Sequence, residues 1–149
     1  MKNYIMLLLC VIVLSGCGAR GGSAPPGSTI SIVGSFDGVT NANTTKQRDS
    51  QTVQVVIQSS SGVGVNNAKI DISFDYTIKP DQTLAPDITS LVTLCGGAQI
   101  VNATVEAKTD DWGVYYLCLE YENGGGLGYA GNVRITSGDQ SASTALTVQ

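Results

Sequence analysis

Ile70, Ile72, Phe74, Tyr76 and Ile78 are apolar, while Asp71, Ser73, Asp75 and Thr77 between them are polar. Successive side chains of an extended chain point to opposite faces, so this run gathers its apolar groups on one side and its carboxylates on the other. A helix would scatter both sets around its circumference. The run predicts a strand with one buried face, and such a strand needs a second layer to cover it.

The same period of two recurs elsewhere. Val53, Val55 and Ile57 alternate with Thr52, Gln54 and, less cleanly, Val56. Further strands rich in Val, Ile, Thr or Tyr are predicted near 29–36, 88–95, 99–108, 113–122, 132–137 and 141–148. Ser61-Gly62, Asn66-Asn67, Lys79-Pro80-Asp81, Gly96-Gly97, Asp110 to Gly113, Asn123-Gly124 and Ser137-Gly138-Asp139 supply the turns. No window of a dozen residues keeps a helical stripe. The expectation is an all-β domain over residues 29–149, a two-sheet antiparallel sandwich of seven or eight strands.

What precedes residue 29 has a different character. Lys2 is followed by an apolar run from Ile5 to Leu14 and then by small residues, the order of a secretory signal. Ten apolar residues fall short of the roughly 20 that span a bilayer as a helix. Leu14-Ser15-Gly16-Cys17 resembles a bacterial lipobox, which implies a signal peptide over 1–16 and lipidation of Cys17 as the mature N-terminus. In lipoproteins of that kind the terminus usually carries three acyl chains, palmitate among them, and each buried methylene adds roughly 0.8 kcal/mol to membrane partition. Gly18 stands where an aspartate would signal inner-membrane retention, so outer-membrane residence is expected. Residues 17–28, rich in Gly, Ser and Pro, read as the lipidated N-terminus and a flexible tether.

Cleavage after Gly16 leaves 133 of the 149 residues, enough for one domain. The chain has net charge −4, and losing Lys2 makes the mature form one unit more acidic. Nucleic-acid binding is driven by basic surface, so no nucleic-acid partner is expected. Of the four cysteines, Cys10 leaves with the signal and Cys17 is acylated; Cys95 and Cys118 remain. In an oxidising envelope they read as one disulfide, the alternative being two separate buried thiols.

Val53-Gln-Val-Val-Ile, Ser61-Gly62, Val65-Asn-Asn-Ala-Lys-Ile70, Thr109-Asp-Asp-Trp-Gly-Val114 and Thr144-Ala-Leu-Thr-Val148 follow one another in this order. The series, over residues 50–148, resembles the bacterial Ig-like repeats of invasin and intimin-type surface proteins. The resemblance implies an Ig-like β-sandwich and a role in adhesion. Asp111-Trp-Gly113-Val-Tyr115 also resembles the immunoglobulin tyrosine corner, but the cysteine expected at 117 is Leu117, with Cys118 on the other face. Cys95 is also too close in sequence to pair across the sandwich in the antibody manner.

The chain has no histidine, which removes the Ser-His-Asp and Cys-His machineries and the commonest zinc ligand. No cofactor is expected. Asp71 and Asp75 share a strand face with Ser73, whose ordinary reading is solvated surface. Glu106, Asp110 and Asp111 are weighed as calcium ligands against a metal-free turn capped by its own aspartate. Gly126-Leu-Gly128-Tyr-Ala-Gly131 matches a nucleotide-binding glycine pattern in form, but that pattern requires a following helix and Val133-Arg-Ile135 continues as a strand. The glycines are read as a hairpin loop.

Trp112 and Tyr129 are the candidate binding residues, placed together at one end of the sandwich on the Thr109 to Gly113 turn and the Gly124 to Gly131 loop. The functional expectation is a non-enzymatic lipoprotein, held to the membrane by its N-terminal lipid, that presents an Ig-like module to another envelope or surface protein. A glycan is the alternative ligand. A lipoprotein enzyme built on paired carboxylates is the third reading, for which no convincing pair is found.

Overall fold

The computed structural model describes residues 22–39, 48–77, 92–100, 104–122 and 129–148, and every regular element among them is a strand. Cys17, the signal segment, the 79–81 turn and the 123–128 glycine loop lie outside the described residues. The strands are β1 (Thr29–Val33), β2 (Phe36–Val39), β3 (Arg48–Gln58), β4 (Lys69–Thr77), β5 (Val92–Leu94), β6 (Ala98–Gln99), β7 (Thr104–Lys108), β8 (Val114–Glu122), β9 (Tyr129–Ser137) and β10 (Gln140–Val148). They form two five-stranded sheets, in the orders β1-β3-β8-β5-β6 and β2-β10-β9-β4-β7.

The expected count of seven or eight rises to ten because two predicted strands divide. The 29–36 segment breaks at Gly34, whose φ of 99° lets the chain leave the first sheet and enter the second as β2. The 99–108 segment divides in the same way into β6 and β7. Among the described strands all pairings are antiparallel except that of β2 with β10, which is parallel. Divided first strand aside, the neighbour orders β1-β3-β8 and β10-β9-β4 are those of an Ig-like sandwich, where the first, second and fifth strands share one sheet and the third, sixth and seventh the other.

The alternation in β4 does what it predicts. Ile70, Ile72 and Phe74 are buried, Asp71 and Asp75 are exposed, and Ser73 is half-buried. Val53, Val55 and Ile57 of β3 and Leu117 and Leu119 of β8 share the core with that row, as do Phe36, Val92, Ile100, Val133, Ile135 and Leu146. Each such side chain contributes about 1.5–3 kcal/mol relative to leaving it in water. On the outer face of β4 and β7, Lys69 lies 3.3 Å from Glu106 and 3.4 Å from Asp71. The carboxylates of Glu106 first, then Asp71, raise the pKa of its ammonium. These groups are solvated and pair with one another.

The segment expected to be a tether over residues 17–28 is described from Gly22 on. From Gly22 on, the chain is bonded to the sandwich: Lys69 N donates to Gly22 O at 3.0 Å, and Ala24 N donates to Ser137 Oγ at 2.8 Å. Ser137 Oγ in turn donates to Lys69 O at 2.6 Å. Ala24 is buried with the core. Small residues of this kind suit a tether, yet the single methyl of Ala24 packs with the core side chains. Pro25 to Ser28 then close a turn, Ser28 N donating to Pro25 O at 3.1 Å with Gly27 at φ 78°, the left-handed position of a type II turn.

Cys95 and Cys118 form a disulfide with a Cα separation of 5.4 Å. It joins neighbours in one sheet: Cys95 directly follows β5, Cys118 is in β8, and Cys95 N donates to Cys118 O at 3.1 Å. It does not cross the core as the antibody bridge does. The tyrosine-corner resemblance fails for a related reason. Tyr115 opens β8, which occupies the place of the fifth strand between β3 and β5, whereas the corner tyrosine belongs to the sixth. Tyr115 is half-buried against the core, and that burial pushes its phenol pKa up.

Candidate functional site

The Thr109 to Gly113 turn joins β7 to β8 at the end of the sandwich where β3 finishes and β4 begins. Thr109 anchors it. The Thr109 hydroxyl is buried, donates to Val65 O at 2.7 Å and accepts from Ala68 N at 2.8 Å, while Thr109 N donates to Ala68 O at 3.0 Å. One short side chain thus ties this turn to the 62–68 loop. Thr109→Val keeps the volume but strands a buried carbonyl and a buried amide, so it is expected to lower unfolding free energy by about 2 kcal/mol in urea titration. A change within experimental error would show that the hydroxyl is dispensable.

Asp110 shapes the turn itself. Its Oδ1 accepts from Trp112 N at 2.9 Å and from Val114 N at 2.8 Å, and Gly113 N donates to Asp110 O at 3.1 Å. This is the local capping role of an aspartate before a tight turn. The calcium reading finds no support here, since Asp110 Oδ1 is engaged with backbone amides and Glu106 with Lys69. Among the described residues no group of three or more His, Cys, Asp or Glu side chains is placed to hold a metal ion.

Two glycines let the turn and the loop meet backbone to backbone. A Cβ on Gly113 would lie 2.6 Å from Val65 N and 2.8 Å from the Cα of Gly64, and its φ is 77°. A Cβ on Gly64 would run into the carbonyl of Trp112. Ile57 N donates to Gly113 O at 2.8 Å and Val65 N to Ile57 O at 2.9 Å, so β3, the loop and the turn are laced together. The residues that carry the resemblance to bacterial Ig-like repeats, Ser61-Gly62, Val65 and Thr109 to Gly113, are therefore neighbours in space.

On this fixed base stands Trp112, with 80% of its surface exposed, and Val63 in the facing loop is 65% exposed. The backbone of Trp112 is bonded while its ring faces water. Val63 was not among the residues expected at the site, and nothing in its local sequence signals its exposure.

Tyr129 does not join this site. It opens β9, paired with Val148 at the far end of β10, whereas the Trp112 end of that hairpin is the Ser137 to Gln140 turn. β8 is nine residues long and carries the chain about 30 Å from one end of the sandwich to the other. Trp112 precedes it and the 123–128 segment follows it, so closeness in sequence placed the two aromatics at opposite ends. The Tyr129 side chain lies outside the described residues, as do Gly124 to Gly128. From Tyr129 the chain runs as strand, which agrees with setting the nucleotide pattern aside.

No family model and no curated protein matches this chain. Among solved structures the chain is similar to the ASH / PapD-like domain of human CEP192 (PapD-like domain 7), at 10% identity, a TM-score of 0.48, and coverage of 91% of this chain and 94% of that one. A likeness at that score carries no argument about function, and the fold assignment stands on strand order and pairing.

Proposed function

We propose that the chain is a non-enzymatic lipoprotein of a bacterial envelope, anchored through lipid on Cys17, whose Ig-like module binds another envelope or surface protein through the Trp112 turn. One observation carries the binding part of this reading: among the described residues the largest exposed aromatic surface sits on a turn whose backbone is hydrogen-bonded to β3 and to the 62–68 loop. A pre-ordered tryptophan loses little entropy when a partner covers it, which is why tryptophan is over-represented where interfaces concentrate their energy. The non-enzymatic part rests on a sequence without histidine and on carboxylates committed elsewhere, Asp110 to its turn and Asp71 and Glu106 to Lys69. The anchoring part, outer-membrane residence included, rests on the Leu14 to Cys17 sequence and Gly18.

Trp112→Ala tests it. With the ring outside the core, the thermal midpoint should stay within about 2 °C of the parent, while affinity for the protein captured with it from detergent-solubilised envelope falls at least tenfold, as truncation of a central anchor does. A large loss of stability would assign Trp112 to the core. Unchanged partner affinity with lost binding on a glycan array would select the carbohydrate reading instead.

A further inference from the structure

The N-terminal segment reaches the sandwich at the Trp112 end. Lys69 N, at the start of β4, donates to Gly22 O at 3.0 Å, and the neighbouring Ala68 is bonded to Thr109 at the base of the Trp112 turn. From Ser23, beside Lys69, the segment crosses this end of the molecule to Thr29, opposite Gln58 at the close of β3. A Cβ on Gly27 would lie 3.8 Å from Ser60 Cβ, and one on Gly138 would lie 3.1 Å from Ala24 O, so on its way the segment touches the β3–β4 and β9–β10 connections.

That attachment shortens the tether. Between Cys17 and the bonded Gly22 stand residues 18–21 alone, and the steps across them reach at most about 18 Å at roughly 3.3–3.6 Å each. The sandwich is longer, since the nine residues of β8 extend about 30 Å. With lipid on Cys17, a domain turned so that Trp112 pointed away from the membrane would need a tether as long as itself. Resting on the readings of Cys17 as the lipid-bearing residue and Trp112 as the binding residue, we infer that the Trp112 end faces the membrane that holds the chain. The partner it meets there is a protein embedded in that membrane, presenting a basic rim next to its span.

Charge selects this occupant over the bilayer itself. The connections at this end, 22–28, 59–68, 109–113 and 138–139, carry Asp110, Asp111 and Asp139, all exposed, and no lysine or arginine. Lys69 and Lys108 stand instead on the outer face of β4 and β7, where Lys69 is paired with Glu106 and Asp71. Anionic headgroups repel such an end, and drawing its carboxylates into the interface to bury one indole is costly. An arginine or lysine on a protein suits both features: it pairs with Asp111 and lies over the face of Trp112, with the exposed Val63 adding apolar area beside them.

Trp112 is the chain's one tryptophan, so its fluorescence reports this end alone. The acylated full chain in phosphatidylcholine vesicles with dansyl-labelled headgroups should show strong energy transfer from Trp112. About 20 Gly and Ser residues inserted after Gly18 raise the root-mean-square reach of the tether to about 25–30 Å and should cut the transfer at least twofold. Bromines on the acyl chains should leave the ring unquenched. In cells, a photo-crosslinking amino acid at position 63 should give an adduct with a membrane-spanning protein. Asp111→Lys should lower its yield at least fivefold at an unchanged thermal midpoint, because Asp110 and not Asp111 caps the turn; Arg134→Glu should not. Weak transfer in the parent overturns the inference, as does transfer indifferent to the insertion or quenching by the bromines, which would give the ring to lipid. An adduct with a soluble protein, or one that Asp111→Lys fails to weaken, overturns it while leaving Trp112 a protein-binding residue. No adduct defeats both readings, and an unacylated Cys17 in the mass spectrum of the N-terminal peptide defeats this one together with the anchor.

Discussion

Gly113→Ala is expected to lower unfolding free energy by at least about 3 kcal/mol, more than most single substitutions. Two costs combine. The backbone at φ 77° is left-handed, which an L-residue adopts at a cost of roughly 1–2 kcal/mol. The added methyl also meets Val65 N and the Cα of Gly64, backbone atoms that cannot swing aside as a side-chain tip would. Gly64→Ala should show a comparable loss by the clash alone, because its methyl would meet the Trp112 carbonyl. Thermal midpoints should fall by roughly 10 °C or more for a domain of this size. Gly62→Ala is the informative control: its φ of 80° carries strain but no heavy atom lies within 4 Å of the new methyl, so its loss should be smaller. Equal losses at all three glycines would mean that the close approach of loop and turn contributes nothing.

The second large effect belongs to the disulfide. Cys95 and Cys118 are 23 positions apart, and closing a loop of that length stabilises by about 3 kcal/mol in the chain-entropy model. The bridge also has a local task. β5 contributes three pairs to β8, and β6 adds two pairs to β5, so apart from the core packing of Val92, Leu94 and Ile100 this edge of the sheet has few backbone pairs to hold it. Replacing both cysteines by alanine should cost about 3 kcal/mol and raise amide exchange first at Val92 to Gln99. The core residues Leu117 and Leu119 should exchange only with global unfolding. A double variant as stable as the parent, or one in which the whole sheet loosens together, would contradict this assignment.

How much of this was legible beforehand depended on the range of the interaction. The buried row of β4 was readable because alternation is written residue by residue, and the same held for β3. The capping role of Asp110 was readable too, since it acts within four residues. Strand number was not, because the split at Gly34 depends on which sheet the next residues meet. The docking of Ala24 was hidden for the same reason: an alanine in a Gly-Pro-rich stretch shows no pattern until the cleft beside Ser137 exists. Pairing Trp112 with Tyr129 failed on geometry, as a long strand separates what the sequence sets close together. The close contact of Gly64 with Gly113 joins positions far apart in the chain, and no local pattern in either turn marks it.

The central claim is that a rigidly held, solvent-facing Trp112 meets another protein of the envelope. A photo-crosslinking amino acid placed at position 112, in the cells that make this protein, tests it most directly. The account predicts one discrete adduct with a different protein after illumination, and none when the same probe replaces Arg134 on the charged opposite face. No adduct from position 112, or the same adducts from both positions, would contradict it.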